Sequence, residues 1–180
     1  QMCIRDRSGQ VIATGGLSDL AKESVTNISA VVKKLTGKDI RDFDLHVQFP
    51  GTHNVDGDSA SITMATAIIS AFEGVPIDQN LAMTGSLTVR GEVLPIGGVS
   101  AKIEAAAKSG IKRVVIPRSN LNDVLIDEKY ESQVEILAVD SLDEVLEHAL
   151  VGKEEKVSLV ERLAQVIDTI STGTDKQPSA

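Results

Sequence analysis

The sequence has very few aromatic residues and a single cysteine. Its 180 residues include no Trp, one Tyr, three Phe and one Cys. One cysteine excludes an internal disulfide framework and a multi-cysteine metal site. The scarcity of aromatic side chains leaves no platform on which nucleic-acid bases could stack. It also requires a core of Val, Ile, Leu and Ala, which suits a domain of helices and sheets.

Positive charge is also scarce, and it is not clustered. Lys and Arg number 18 against 26 Asp and Glu, which gives a formal net charge of −8. Because binding to phosphate backbones depends largely on clustered Lys and Arg, this composition argues against nucleic acid as a partner. No apolar run approaches the roughly 18 residues of a membrane span, and no signal-peptide layout is present. We therefore expect a cytoplasmic segment without direct membrane contact.

Length and patterning predict one domain with irregular ends. A chain of this length is sufficient for one core and too short for two comfortable ones. Residues 1–8 fit no strand or helix pattern, and we predict that they are not native to the domain. The domain is predicted to span residues 9–171, and the polar residues 172–180 are predicted to form a disordered tail.

Apolar periodicity predicts that helices and strands alternate. Helical spacing predicts helices over residues 18–35, 58–72, 99–109, 122–126, 142–150 and 154–170. Alternation and short apolar runs predict strands over residues 43–49, 81–89, 92–96, 113–116 and 134–139. Arg90-Gly91 suits a hairpin turn, and Ser141 with Glu144 is spaced as a capping box. The predicted fold class is α+β (mixed α/β), with mixed sheets packed against helices.

A serine at the start of a helix is the first candidate for chemistry. Ser59 follows Asp56-Gly57-Asp58 and is predicted to lie in the first turn of the helix over residues 58–72. Helix N-termini present unpaired N–H groups and a partial positive charge, which stabilise an anion. The backbone donors of Gly57 and Asp58 are therefore candidates for an oxyanion hole. The alternative is that Asp and Ser stand here only as helix caps.

A lysine on the next helix strengthens the chemical interpretation. Lys102 falls within or at the edge of the apolar stripe predicted for residues 99–109, whereas Lys108 can reach solvent. Partial burial disfavours the charged form of an amine and lowers its pKa toward that of a usable base. A neutral Lys102 could then take a proton from Ser59. The alternative is a lysine whose stem covers apolar surface while its ammonium reaches water.

A histidine is the other candidate base. His53 lies in the loop before Ser59, so a triad of Ser59, His53 and an aspartate such as Asp56 stays open, because triads are defined by geometry and not by order in the chain. His46, within a strand, and His148, near the end of a helix, are poorer candidates. A solvated loop histidine is the alternative interpretation of His53.

Three sequence blocks occur in order: DGDSAS around Ser59, AMTGSL followed by Arg90-Gly91, and LPIGGVSAK ending at Lys102. Together they resemble the blocks of the Lon protease family. The spacing between Ser59 and Lys102 also fits the family, and the likeness extends over residues 11–150. The motif GDSAS is similar to that of the archaeal-type branch of the family, whose ATPase is membrane-associated.

The resemblance implies a fold, an activity and roles for several residues. The fold would be the Lon proteolytic domain, similar to the ribosomal-protein-S5 domain-2-like architecture, and the activity would be hydrolysis of peptide bonds in unfolded or damaged proteins. Ser59 would be the nucleophile, Lys102 the general base, and Thr84 a hydroxyl that positions the lysine amine. Asp56 and Asp58 match positions that are acidic in the archaeal-type branch. We hypothesise that one of them pairs with Lys102 in a resting site and keeps the amine protonated.

The resemblance also implies parts that this segment does not show. Family members form homo-hexameric rings and carry an AAA+ ATPase domain that unfolds substrates. No GxxxxGK[ST] phosphate loop occurs here, so ATP and Mg²⁺ are expected on the AAA+ part of the full-length protein, with no cofactor or metal on this segment. The opening strands of the domain, expected before Val11, are predicted to be missing. Any tethering to a membrane would come from the absent N-terminal part.

Two other classes of function stay open at this point. A Gly- and Ser-containing turn that opens a helix also suits phosphate, as in small-molecule kinases, although the chain has little room for a second substrate-binding region. The other class is a ring-forming module with the same fold and no catalytic activity. Labelling of Ser59 by a fluorophosphonate would separate a competent protease from either class.

Overall fold

Helices and strands alternate along the chain, as the periodicity predicts. The structure is a computed structural model that describes residues 2–6, 11–14, 19–49, 57–152, 159–161 and 164–165. The helices are α1 (Asp19–Thr36), α2 (Ser61–Glu73), α3 (Val99–Lys108), α4 (Glu128–Glu131) and α5 (Leu142–Ala149). The strands are β1 (Met2–Asp6), β2 (Val11–Thr14), β3 (Phe43–Gln48), β4 (Leu81–Met83), β5 (Ser86–Leu87), β6 (Val93–Leu94), β7 (Arg113–Pro117) and β8 (Glu135–Val139). Short 3-10 helices cover Ile40–Asp42 and Arg118–Asp123.

The first sheet has β3 at its centre. β1 pairs with β3 antiparallel, with Met2 opposite Val47, and β2 pairs with the other edge of β3 in parallel. Leu45 and Val47 are buried while His46 is exposed, as expected when one face of a strand is covered. The prediction that residues 1–8 fit no strand is wrong for Met2–Asp6, because pairing with β3 holds this segment extended. Whether residues 1–8 are native to the domain stays a prediction.

The second sheet is parallel and has β7 at its centre, in the order β4-β7-β8. β7 is an almost continuous apolar run, which is typical of a strand covered on both faces. Val115 belongs to a larger hydrophobic core, whereas Val114 and Ile116 belong to a smaller one. The two cores therefore lie on opposite faces of this strand.

Each core is closed by its own helices. The larger core contains buried residues of α1, α2, α5 and β3, and the smaller core contains the buried residues of α3. Ser59 leads into α2 and Lys102 lies on α3, so the two candidate residues come from elements that pack in different cores. The parallel sheet lies between these cores. This arrangement, with mixed sheets packed against helices, confirms the predicted α+β class.

The strand predicted over residues 81–89 is interrupted. The amide of Thr84 still donates to the carbonyl of Val115 on β7, but the amide of Gly85 turns away and donates to the carbonyl of Ser59. The chain then continues as β5, which pairs antiparallel with β6. Gly91, with a φ of 94°, closes the turn of this hairpin, as predicted from Arg90-Gly91.

Two predictions for the C-terminal half of the chain, a helix and a helix cap, are wrong. Residues 122–126 do not form a helix of their own, because the 3-10 helix ends at Asp123 and α4 begins at Glu128. The capping box is also absent, since Ser141 makes no side-chain cap and Glu144 instead accepts from the amide of Asp140 and from Arg118. The predicted helix over residues 154–170 and the tail over residues 172–180 lie mostly or wholly outside the described residues.

Candidate active site

The turn that carries Ser59 ends just before α2 begins. Gly57 has a φ of 80°, a conformation that glycine adopts without steric cost. The amide and the hydroxyl of Ser61 both donate to the carbonyl of Asp58, and α2 begins at Ser61. The helix therefore begins three residues later than predicted, and Ser59 lies two residues before its start instead of in its first turn. It occupies a tight turn at the mouth of the helix.

Residues 84–86 hold this turn in place. The carbonyl of Ser59 accepts hydrogen bonds from the Gly85 amide at 2.8 Å and from the Thr84 hydroxyl at 3.2 Å. The carbonyl of Gly85 in turn accepts from the Ile62 amide at 3.3 Å. A Cβ at Gly85 would come within 3.1 Å of side-chain atoms of both Ile62 and Val93. Glycine therefore allows the strand to approach the turn without displacing these side chains.

Helix α3 brings Lys102 to the same place from the smaller core. Val99 and Ile103 are 3% and 0% exposed, and Lys102 beside them is partly buried, as its predicted position at the edge of the apolar stripe requires. Lys102 Nζ lies 2.8 Å from Ser59 Oγ and 3.2 Å from Thr84 Oγ1. The structure thus brings together three polar side chains that are distant in sequence.

Burial governs the charge of this amine. Desolvation lowers the pKa of Lys102 below its ordinary value of 10.5, and the negative charge of Asp58 opposes this shift without cancelling it. A lower pKa raises the fraction of neutral amine at a given pH. Lys102 is therefore closer to a usable base than a solvent-exposed lysine would be.

Asp58 does not form the hypothesised ion pair with Lys102. Its carboxylate accepts a hydrogen bond from the Ser86 hydroxyl at 2.5 Å. The carboxylate influences Lys102 through its negative charge, without direct contact between the two groups. The neutral hydroxyl of Ser86 thus takes the place in which we expected the ammonium. Asp56, the other acid of that hypothesis, lies outside the described residues, so its pairing stays a prediction.

Three polar groups can form one continuous relay of hydrogen bonds. When the amine is neutral, Ser59 Oγ can donate to Lys102 Nζ, Nζ can donate to Thr84 Oγ1, and the Thr84 hydroxyl donates to the Ser59 carbonyl. Each hydroxyl proton then has an acceptor, and the nitrogen lone pair faces the proton that a base must remove. When the amine is charged, Nζ can only donate to Ser59 Oγ. The neutral form is therefore the one arranged for proton transfer.

A cavity of about 210 Å³ opens beside the Ser59 hydroxyl and the Lys102 amine. Its lining combines these two polar residues and Thr84 with the apolar residues Ala60, Ala82, Met83 and Val114. Apolar walls with a few convergent polar groups are typical of sites that bind small groups of a ligand. The walls also explain the desolvation of the amine.

The remaining predicted site residues cannot all be compared. His53 and Asp56 lie outside the described residues, so the triad that uses them stays untested. Within the described part, Lys102 is the side chain that meets Ser59 Oγ, while His46 lies on β3 and His148 in the last turn of α5. Gly57 and Asp58 precede Ser59 in the turn, and their oxyanion role stays a proposal. No group of three or more His, Cys, Asp or Glu in the described residues could hold a metal ion.

Two buried polar residues near the site are not singled out by the sequence patterns. Ser86, 6% exposed, binds Asp58. Asn120, 3% exposed, binds both the amide and the carbonyl of Ile96 through its side chain and so fixes the loop that enters α3. Alternation of two polar residues, Thr84 and Ser86, in an apolar segment is a signal that could have identified Ser86. Asn120 has no such signal, because its partner is 24 residues away in sequence.

Comparison with known proteins assigns the family. A family model described as the Lon protease (S16) C-terminal proteolytic domain matches residues 2–152. The archaeal Lon protease of Methanothermobacter thermautotrophicus is 54% identical over 163 residues, which cover 90% of this chain and 25% of that protein. The archaeal Lon protease of Halobacterium salinarum is 55% identical over 160 residues, covering 88% and 23%. The Lon protease of Azorhizobium caulinodans is 40% identical over 162 residues, covering 86% and 19%.

The matched region contains the whole candidate site. The fold and the family match define the chain as a proteolytic domain. It belongs to the Lon protease family, as the three sequence blocks around Ser59, Thr84 and Lys102 imply. The chain spans about a quarter of the length of the archaeal Lon proteases of Methanothermobacter thermautotrophicus and Archaeoglobus fulgidus. Among the helices that the structure describes, none has the length and apolar character needed to cross a membrane.

Proposed function

We propose that this chain is the serine endopeptidase domain of an ATP-dependent Lon protease, with Ser59 as nucleophile and Lys102 as general base. The observation that carries the proposal is the 2.8 Å contact between Ser59 Oγ and a Lys102 amine whose pKa is lowered by burial. A serine hydroxyl is a weak nucleophile unless an adjacent base takes its proton. A desolvated amine at hydrogen-bond distance meets that requirement.

The first half of the reaction forms an acyl-enzyme. Lys102 Nζ removes the proton from Ser59 Oγ as the oxygen attacks the carbonyl carbon of a peptide bond. The backbone N–H groups of Gly57 and Asp58 are proposed to stabilise the resulting oxyanion. The tetrahedral intermediate collapses, the C–N bond breaks, and the Lys102 ammonium returns its proton to the leaving amine.

The second half of the reaction releases the acyl group. Lys102, neutral again, takes a proton from water as the water oxygen attacks the acyl carbon. The ester bond to Ser59 Oγ then breaks, and the lysine returns the proton to the serine oxygen. Thr84 is proposed to hold the amine on line with Ser59 throughout, because its hydroxyl lies 3.2 Å from Nζ and is itself anchored to the Ser59 carbonyl.

The substrates, the oligomeric state, the ATPase partner domain and the location are proposed from the family. Unfolded or damaged proteins would be the substrates, and six copies would assemble as a ring. An AAA+ domain of the same full-length protein would bind ATP and Mg²⁺ and deliver unfolded chains. We further propose a cytoplasmic location for this domain, with membrane tethering through an N-terminal part of the full-length protein.

The proposed dyad is tested by removing each member separately in the full-length protein. Ser59→Ala and Lys102→Ala should each lower the kcat for cleavage of an unfolded protein by at least about 1000-fold, because a nucleophile and its base act as a unit. Lys108→Ala, which removes an exposed lysine of the same helix, serves as the matched control and should retain activity. Retained cleavage in the Ser59 or Lys102 variant, with circular dichroism unchanged, would reject the dyad.

An inert ring-forming module is separated from a protease by chemical labelling. A fluorophosphonate forms a bond only to an activated serine oxygen. Mass spectrometry should place the label on Ser59 in the unmodified protein and find none in Lys102→Ala. Absence of label from the unmodified protein would favour the inert module.

A further inference from the structure

Asp58 lies in the same small patch as Ser59 and Lys102 without touching the amine. It directly precedes Ser59 in the chain, and Ser59 Oγ is 2.8 Å from Lys102 Nζ. Its carboxylate lies close enough for its charge to act on the Lys102 amine, and rotation about the Asp58 side-chain bonds is the movement that would bring the two groups into contact. The carboxylate is held elsewhere by a hydrogen bond from the Ser86 hydroxyl at 2.5 Å.

Ser86 is well placed to act as a clamp. Its side chain is buried at 6% exposure on β5, two residues after Thr84, which binds the same amine. Thr84 and Ser86 flank Gly85 at the break between β4 and β5, and the Gly85 amide donates to the Ser59 carbonyl. The lysine amine and the aspartate thus receive separate hydroxyl partners from one short segment that is bound to the Ser59 turn.

We propose that Ser86 is a positioning residue that holds the Asp58 carboxylate away from Lys102, so that Lys102 can lose its proton and act as the base. This inference rests on the proposed function of Ser59 and Lys102. A partly buried carboxylate needs a hydrogen-bond partner. If the Ser86 hydroxyl is removed, the Lys102 ammonium becomes the strongest donor within reach, and a charge-assisted pair forms.

The consequence is a change in pH dependence. An adjacent carboxylate favours the protonated amine and raises the pKa of Lys102. Among the charged groups of the described residues, Asp58 is the one whose field acts on this amine. Because only the neutral amine can take the serine proton, a higher pKa moves the rising limb of activity toward higher pH.

The test compares pH profiles of kcat/KM for peptide cleavage by the full-length protein. Ser86→Ala should move the rising limb of kcat/KM to higher pH by at least about one pH unit. At pH values below the limb, kcat/KM should be lower by about tenfold or more, and at pH values above the limb it should recover. Adding Asp58→Asn to Ser86→Ala should return the limb to its original position or below it, because the released group is then uncharged. Thr88→Ala is the matched control, since it removes a hydroxyl that also braces the hairpin but does not bind Asp58.

A titration followed by NMR separates failure of this inference from failure of the proposed function. The Lys102 side chain, labelled with carbon-13 and identified by its loss in Lys102→Arg, should show a higher pKa in Ser86→Ala whether or not the protein cleaves peptides. An unchanged Lys102 pKa would overturn the clamp while leaving the dyad intact. If Ser86→Ala does not fold, Ser86→Thr retains the hydroxyl and should keep the Lys102 pKa unchanged, and Asp58→Asn alone should lower it. Failure of either result would also overturn the clamp.

Discussion

The turn that presents Ser59 and the helix that presents Lys102 are built in different ways. Hydrogen bonds place the turn, since its carbonyls at Asp58 and Ser59 accept from Ser61, Thr84 and Gly85. Apolar packing places the helix, since Val99 and Ile103 are buried in the smaller core. The nucleophile is therefore positioned by directional hydrogen bonds, and the base is positioned by the packing of apolar side chains.

This difference shows how a reactive pair can be assembled from two cores. A hydrogen-bonded turn fixes the position of a short side chain, which serine requires because its oxygen is one bond from Cβ. A long lysine side chain can instead be directed by the position of its helix and by a final contact with Thr84. The apolar surroundings that position the helix also desolvate the amine, so placement and pKa have one cause.

The largest effect on stability should come from the apolar residues that pack helix α3. Ile103→Ala removes a side chain with 0% exposure, and we expect it to lower the free energy of unfolding by about 2–5 kcal/mol. Activity should fall as well, because α3 loses the contact that positions Lys102. Denaturant unfolding measures the loss, with Ala105→Ser on the exposed face of α3 as control. A loss below about 1 kcal/mol would mean that packing does not set the position of this helix.

A smaller effect, largely on activity, should come from the hydrogen bonds of the Thr84 hydroxyl. Thr84→Val keeps the branched shape and removes the hydroxyl that joins Lys102 Nζ to the Ser59 carbonyl. We expect kcat to fall by roughly 10- to 100-fold, which corresponds to loss of a hydrogen bond from the ammonium that forms as Lys102 takes the serine proton. The Ser59 carbonyl keeps the Gly85 amide, so stability should change little. Thr84→Ser, which retains the hydroxyl, should recover most of the rate; equal rates for the Val and Ser variants would contradict this role.

The smallest effect should be a gain in stability when the amine is removed. The pKa of Lys102 is lower in the folded chain than its ordinary value, so the unfolded chain binds the proton more tightly and Lys102 destabilises the fold below its folded pKa. Lys102→Met should therefore raise the free energy of unfolding at pH 7 by less than about 1 kcal/mol. This gain should vanish as the pH rises toward 10.5. Thermal unfolding of both proteins at several pH values measures it, and a lower Tm for the variant at pH 7 would contradict the desolvation.

Elements with strong periodicity are predictable from the sequence. The apolar repeats of α1 and α3 and the run of β7 give boundaries within two residues of those observed. The partial burial of Lys102 follows from the same repeat, because a charged residue at the edge of an apolar stripe has limited access to water. These are local properties, and periodicity reports local properties well.

Features that depend on distant partners are not predictable in this way. β1 exists because β3 pairs with it, and the Asp58 carboxylate is bound by Ser86, 28 residues away. The break between β4 and β5 likewise reflects the contact of Gly85 with Ser59. The contact of Ser59 with Lys102 across 43 positions follows from the chemistry of the two side chains and from the family resemblance, and no local pattern predicts it.

The pH dependence of kcat/KM tests most directly the claim that a desolvated Lys102 amine is the base for Ser59. Activity should rise with pH through a single limb whose apparent pKa lies below 10.5, because burial lowers the pKa of this amine. Carbon-13 titration of Lys102 should give the same value. A limb at or above 10.5, or activity independent of pH while Lys102 titrates, would contradict the account.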